Sequence, residues 1–452
     1  MHIDVLVAEI GSTTTVLNAF DHLSDEEPVF LGQGQARTTV EEGDVSLGLE
    51  LALDSLKENL GIAELSWGHM LASSSAAGGL RMTVHGLVYD MTVRAAKEAC
   101  LGSGGVIKQV TAGKLRPAAV EKIRRIRPNI IFVAGGTDYG EWETALHNAE
   151  VLMQACPDLP MIYAGNISNQ DEIRSLAEQY GVEVYITENV YPALDELNIE
   201  PARRLIHEVF QKHIVHSPGM ERIRDLVDGP ILPTPGAVME AAILLYESLG
   251  DLLVMDIGGA TTDIHSVTEG NPNNIEYLLN AEPTAKRTVE GDLGVFVNRF
   301  HIYEQFTEAE KFTYGKQIEA GLEKLPKIPE TEEDLELATL LARKAAAVAL
   351  SRHVGNWTEV FTISGMQRFI KGKDLSLIKY AIGTGGALTR LPQGGQILKD
   401  LFVSPPAKYL LPGETPPVLL DQDYIMASLG VLAKTQPQAA LRLLKQSLKL
   451  SD

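Results

Sequence analysis

Two stretches of this sequence pair a carboxylate with glycine and hydroxyl residues in the same order. The first is Glu9-Ile10-Gly11-Ser12-Thr13-Thr14. The second is Asp256-Ile257-Gly258-Gly259-Ala260-Thr261-Thr262-Asp263. In each, a carboxylate ending a β-like run can hold a hydrated Mg²⁺. Glycine lets the backbone turn against a phosphate, and the hydroxyls and N–H groups after it supply donors. Glu9 and Asp256 are therefore the candidate metal carboxylates, acting through water. Gly11, Ser12, Thr13 and Thr14 are candidate phosphate contacts, as are Gly258, Gly259, Ala260, Thr261 and Thr262. Asp263 is a candidate for orienting a water or flanking the metal, with a turn or capping role as its alternative. A third stretch, Ile382-Gly383-Thr384-Gly385-Gly386-Ala387, places glycines after a strand, where the backbone can lie flat against a purine and ribose. A helix starting near Ala387 would aim its N-terminus at the nucleotide. Gly383, Gly385, Gly386 and Ala387 are its candidates.

A hairpin turn would account for either of the first two motifs alone. The repeat of one pattern in both halves of the chain favours phosphate chemistry. The elements that must position it are legible from the hydrophobic pattern. Ile3–Ile10 and the run after Thr14 read as strand, turn, strand. From Asn129 to His213, short apolar runs (Ile130–Val133, Met161–Tyr163, Val182–Ile186) alternate with helical stretches, which predicts βαβ units on a parallel sheet. Prolines at 218, 230, 233 and 235 mark a linker. Pro235–Leu249 reads as a helix with small residues (Gly236, Ala237, Ala241, Ala242) on one face, and Tyr424–Ala433 as another (Ala427, Gly430, Ala433). Phe296–His353 is mostly helical, with Thr331 and Asp334 capping the Ala-rich helix that ends there. The expected division is residues 1–235 for a first lobe with an inserted βα module at about 115–215, and 236–250 for a connecting helix. Residues 251–420 form a second lobe with a helical subdomain at about 296–355, and 421–452 are helices returning to the first lobe.

Composition narrows the function classes. With 452 residues the chain is long enough for two or three domains. Its formal charge of −21 argues against nucleic acid or an anionic membrane as the main partner. Cys100 and Cys156 make no disulfide framework or zinc motif and read as buried thiols. The histidines show no metal spacing. No signal peptide or bilayer-length apolar run is visible, so the cytoplasm is the expected compartment.

In their order, the three motifs resemble the phosphate-1, phosphate-2 and adenosine motifs of the actin/Hsp70/sugar-kinase superfamily. The small-faced helices sit where that superfamily places its connecting helices. The resemblance implies an α/β, two-lobed actin-like ATPase fold. Its ribonuclease H-like lobes would have mixed sheets, and ATP and Mg²⁺ would lie in the cleft between them. Five blocks, one of them within the second motif, are similar to the glutamate mutase (methylaspartate mutase) accessory proteins of the MutL type. They are Ser74–Met82, Ala134–Asp138, Thr234–Val238, Gly258–Asp263 and Lys286–Gly294. That resemblance implies an ATP-binding accessory or reactivating factor, chaperone-like, for an adenosylcobalamin-dependent mutase or aminomutase. ATP binding or slow hydrolysis would be coupled to partner remodelling, and a homodimer is left open. Two departures stand out. Glu9 replaces the superfamily's usual Asp, and Thr234 stands where chaperone-like members carry a water-positioning Glu. The longer Glu9 can still reach a hydrated metal with shifted geometry, and Thr234 favours slow turnover or nucleotide sensing. The alternatives are a small-molecule kinase, a non-hydrolysing scaffold, and an iron–sulfur activator of 2-hydroxyacyl-CoA dehydratases, for which two cysteines per subunit would suffice.

Overall fold

The structure is a computed structural model that describes residues 1–450 except 12–13, 40–41, 76–79, 214–218, 221 and 363–364. The chain forms two compact units. Unit 1 is Met1–Glu240 with Ala427–Ala440, and unit 2 is Ala241–Met426 with Leu441–Asp452.

In unit 1 the strands are β1 (His2–Ile10), β2 (Thr14–Asp21), β3 (Val29–Arg37), β4 (Ser66–Ser74), β5 (Leu80–Gly86), β6 (Gly105–Ala112), β7 (Ile130–Val133), β8 (Met161–Tyr163), β9 (Val184–Ile186) and β10 (Ile231–Pro233). One sheet has the order β3-β2-β1-β4-β10. Its β1–β2 and β2–β3 pairs are antiparallel, and its β1–β4 and β4–β10 pairs are parallel. The second sheet has the order β6-β5-β7-β8-β9, and every pair in it is parallel. Its β5 and β6 precede residue 115, so the sheet begins well before the segment in which βα units were expected. Strand β7 is apolar throughout because helices cover both faces. Ile130 and Phe132 join the core shared with the first sheet, while Ile131 and Val133 join a separate core with Ala149, Leu152 and Ile173.

Unit 2 contains β11 (Leu252–Ile257), β12 (Thr262–Val267), β13 (Ala285–Glu290), β14 (Asn356–Thr362), β15 (Gly365–Lys371), β16 (Tyr380–Thr384) and β17 (Val418–Leu420). Its main sheet has the order β13-β12-β11-β16-β17. Here too two antiparallel pairs run to one side of the first strand and two parallel pairs to the other. The ribonuclease H-like mixed sheet of the actin-like ATPase fold is thus present twice, each copy opening with a hairpin that carries one of the two phosphate-type motifs. Strands β14 and β15 form a separate antiparallel ribbon.

The helix Glu332–His353 opens at Thr331, whose hydroxyl accepts from Asp334 N at 3.2 Å, and buries Leu337, Leu341, Ala345 and Ala349 in the unit 2 core. The small residues on the helices Thr234–Leu249 and Met426–Leu432 also have a packing reason. A side chain at Gly430, on Met426–Leu432, would collide with the carbonyl of Ala237, on Thr234–Leu249.

Candidate functional site

The turn between β11 and β12 is tight. Gly258 N donates to Thr261 O at 2.9 Å. Its outward carbonyls are tied down by the segment after β13. Val295 N donates to Gly258 O (3.2 Å), and Phe296 N and Val297 N donate to Gly259 O (3.0 and 2.8 Å). Asn298 Nδ2 donates to Ala260 O at 2.8 Å, and the Thr262 hydroxyl to Leu293 O at 2.8 Å. Gly294 is obligatory here, since a side chain on it would overlap Ala260. With the carbonyls engaged on one side, the amides of Gly259, Ala260 and Thr261 donate to no acceptor among the described residues. Gly259 and Ala260 are exposed. Adjacent N–H groups presented this way form a concave donor surface for an anion.

A carboxylate stands beside those amides. Asp256 lies directly across the ladder from Asp263, a like-charge arrangement that disfavours double ionisation. Desolvation comes first and repulsion from Asp263 second in pushing the Asp256 carboxyl up to about 7. The Arg287 guanidinium pulls in the opposite direction, and Asp421 adds to the rise. Asp263 itself is buried and engaged. Its Oδ1 pairs with Arg287 Nη2 at 2.9 Å, and its Oδ2 accepts from the Thr261 hydroxyl at 3.1 Å. A desolvated charge survives only with such partners. This geometry makes Asp263 a brace of the turn.

The adenosine-type motif meets the turn directly. Gly385 has φ +83° and caps the short helix Gly386–Thr389. A Cβ built on it would collide with Asp256 Oδ1 and lie 2.7 Å from Ile257 N. Gly383 is walled in by Leu420, Leu398 and Leu388, whereas a Cβ on Gly386 meets nothing within 4 Å. The fold therefore brings Asp256–Thr262 and Gly383–Ala387 together. Asp421, which sequence reading missed, fixes the end of β16. It is buried, accepts from the Thr384 hydroxyl (2.9 Å) and the Ser447 hydroxyl (2.7 Å), and caps Ile425 N and Met426 N. Burial pushes its carboxyl up while those donors pull it down. Its signal was an Asp just ahead of a helix. Asn298 carried no comparable signal.

Unit 1 repeats the turn. Gly11 N donates to Thr14 O at 2.9 Å, the same hydrogen bond as in unit 2. Glu9 is half-buried, opposite Val16 on β2 and Ser73 on β4. The Thr38 hydroxyl donates to Gly11 O at 2.9 Å. Ser12 and Thr13 lie outside the described residues, as do Ala76, Ala77, Gly78 and Gly79. Thr234 begins its helix and donates to the Ser73 hydroxyl at 3.3 Å.

A family profile described as MutL protein matches residues 5–448. The chain belongs to the MutL family. It is 38% identical over 460 aligned residues to Protein MutL of Clostridium tetanomorphum, covering 98% of each chain. Among solved structures, it is similar to nucleotide-free acetone carboxylase, with 14% identity, 95% of this chain and 70% of that chain covered, and a TM-score of 0.43. It is also similar to a nucleotide-free diol dehydratase-reactivating factor, with 12% identity, 96% and 100% covered, and a TM-score of 0.33.

Among the described residues of this MutL-family chain, no three or more His, Cys, Asp and Glu side chains are grouped to hold a metal ion. A Mg²⁺ at Asp256 would have to take most of its ligands from water and phosphate. No helix among these residues is long and apolar enough to cross a membrane. Cys100 and Cys156 are both buried, in different cores of unit 1. Burial pushes the Cys156 thiol up and the Cys100 thiol well up. With one cysteine in each core, the two thiols are not set side by side to share a cluster, which argues against the iron–sulfur activator alternative.

Proposed function

We propose that this MutL-family protein is an ATP-binding accessory factor that reactivates an adenosylcobalamin-dependent mutase or aminomutase, coupling ATP binding or slow hydrolysis to remodelling of that partner. The observation that carries the nucleotide part is the β11–β12 turn, with its Gly259–Thr261 amides open and Asp256 beside them. In this reading the Gly259, Ala260 and Thr261 amides take phosphate oxygens, and Gly385, Gly386 and Ala387 line the nucleoside; the Thr261 and Thr262 hydroxyls, expected as phosphate contacts, donate instead to Asp263 and Leu293 O, and Gly383 is enclosed by leucines. In unit 1, Gly11, Ser12, Thr13 and Thr14 are the corresponding phosphate contacts, with Glu9 as the second metal-side carboxylate. A bound Mg²⁺ would neutralise phosphate charge, and Glu9 and Asp256 would hold its water ligands.

Slow turnover fits the remaining residues. Asp263 is committed to Arg287 and Thr261, and Thr234 bonds to Ser73. Neither is disposed to activate a water. The mutase partner rests on the resemblance of the five sequence blocks to mutase accessory proteins, and the 38% identical Protein MutL supports the family in which that resemblance is found. The test is ATPase turnover and a thermal shift with Mg·ATP, with and without a cobalamin-inactivated mutase from the same source. The expected result is a shift with Mg·ATP and turnover raised by the mutase, both lost in Asp256→Ala. A wild-type chain with no response to Mg·ATP would refute the nucleotide reading. A chain that binds ATP but ignores the mutase would leave a scaffold or kinase.

A further inference from the structure

The all-parallel sheet of unit 1 has features that the nucleotide reading does not use. Its order β6-β5-β7-β8-β9 means that the chain leaves β5 to one side and returns to the other. Open parallel sheets with such a reversal take ligands in the crevice at the carboxyl ends of the strands flanking it. Here those strands are β5 and β7, and the segments that follow them pack closely at Gly135. A Cβ on Gly135, just past β7, would lie 3.5 Å from Leu87 N and 3.2 Å from the Ala145 side chain. This edge offers a surface instead.

That surface is apolar at its centre and rigidly supported. After β5 the chain makes a π-helical turn, Tyr89–Val93, which leaves Val88 and Tyr89 exposed. Such turns recur at functional sites. After β7, Tyr139 stands 84% exposed at φ +59° and Trp142 is 51% exposed. An aromatic residue in left-handed backbone persists only where its surroundings impose it. Here buried Asn166 does so, accepting from Tyr139 N at 3.1 Å and donating to Gly140 O and Glu141 O. Asp138 accepts from Ile167 N and from Asn189 Nδ2, and its own N–H donates to Pro192 O, which locks together the loops after β7, β8 and β9. Leu194, on the last of these loops, is 73% exposed.

The rim is acidic. Asp90, Glu141, Glu188 and Glu196 are exposed on the same loops. The nearby lysines are engaged, Lys97 over the Tyr89 ring and Lys114 with Glu143. Exposed Tyr and Trp on a fixed scaffold are the usual anchors of protein interfaces. A negative rim selects a partner with complementary charge.

We propose that the carboxyl edge of this sheet, centred on Tyr139 and Trp142, is a docking surface for a partner protein whose contact face is apolar with a Lys/Arg border. The partner's identity rests on the accessory-factor reading, so the probe is the purified mutase of the same source. Its affinity for the full-length chain is measured by calorimetry, at low and high salt. The variants are Tyr139→Asn with Trp142→Ala, Asn being tolerant of left-handed backbone, and separately Glu196→Lys. The expected results are at least a roughly tenfold loss for the aromatic pair and, for Glu196→Lys, weaker binding with a shallower salt dependence. Unchanged melting temperatures show that both variants are folded. A wild-type chain that binds the mutase as tightly as the aromatic variant does overturns the surface and leaves the accessory role standing. A wild-type chain that does not bind overturns the accessory role, and this occupant with it. Self-association of the wild type that the aromatic pair abolishes, with mutase binding intact, assigns the surface to a second copy and also refutes the proposal.

Discussion

Asp256 sits in a place that harms the fold when the carboxylate is ionised. Desolvation and Asp263 push its carboxyl from 3.8 up to about 7. The folded chain therefore holds a proton over that interval which the unfolded chain has released. Stability then falls as pH rises through the interval, by at most about 1.4 kcal/mol per pH unit, and levels off above it. Over roughly three pH units the ceiling is about 4 kcal/mol, an order-of-magnitude figure for a carboxyl coupled to Asp263 and Arg287. Asp256→Asn keeps the shape against Gly385 and removes the titration. The variant should match the wild type near pH 4 and exceed it progressively up to pH 8. The comparison is made as a difference, because His353 in the same unit is held neutral by burial and contributes the opposite slope to both proteins. Of the three tryptophans, Trp357 alone lies in unit 2. Urea denaturation of a Trp67→Phe/Trp142→Phe background, followed by Trp357 fluorescence without nucleotide, reads that unit. The same Asp256→Asn protein should lose its Mg·ATP thermal shift, so one substitution stabilises the fold and removes the response. Equal pH slopes in the two proteins, or an Asn variant less stable at pH 8, would refute the reasoning.

Gly385→Ala should destabilise unit 2 by about 2–4 kcal/mol, from left-handed backbone plus the collision with Asp256 and Ile257. Gly386→Ala, with open space around it, should be neutral to folding, and the paired denaturation curves check both. Arg287→Met leaves the buried Asp263 charge unpaired and should cost about 3–5 kcal/mol. Adding Asp263→Asn should recover much of that loss, and a double-mutant cycle measures the recovery. Asn298→Ala removes two hydrogen bonds, to Ala260 O and Gly291 O, and should cost about 1–3 kcal/mol. If Asn298 positions the turn, ATP affinity measured by calorimetry should fall at temperatures where the variant is fully folded. Retained affinity would limit it to a structural role.

The two hairpin motifs were legible because function and folding ask for the same residues there. A strand must end, turn and return, and Gly11 and Gly258 serve that geometry whether or not a phosphate is present. The helix opened by Thr331 was legible for a similar reason, since its cap is local. What was not legible was set by distant partners. Strand β5 reads Leu-Arg-Met-Thr-Val-His-Gly, too polar for the middle of a parallel sheet. Thr83 and His85 are nonetheless buried, because His85 bonds both Thr83 and Thr111. Burial holds that imidazole neutral, down to about 3. Asp263 reads in the sequence as a water-orienting or metal-side carboxylate or a turn residue, without its ion pair, because Arg287 is a neighbour only across the β12–β13 ladder. Asn298 and Asp421 act on backbone and hydroxyl groups far away in sequence, which no spacing reveals.

The two copies of the hairpin are alike in backbone and unlike in charge, and the difference bears on their roles. Glu9 faces Val16 and Ser73, so its carboxylate meets no acidic residue across the ladder. Asp256 faces Asp263 and has Asp421 within electrostatic reach, opposed by the cation Arg287. An excess of negative charge that destabilises the unliganded fold is relieved by any cation that arrives, and a relief of that size favours binding by the same free energy. The repeated sequence motif therefore does not imply two equivalent metal sites. Under the proposed nucleotide role, the ladder pairing with Asp263 gives Asp256 the larger share of the cation attraction, with Glu9 holding metal-bound water from the other hairpin.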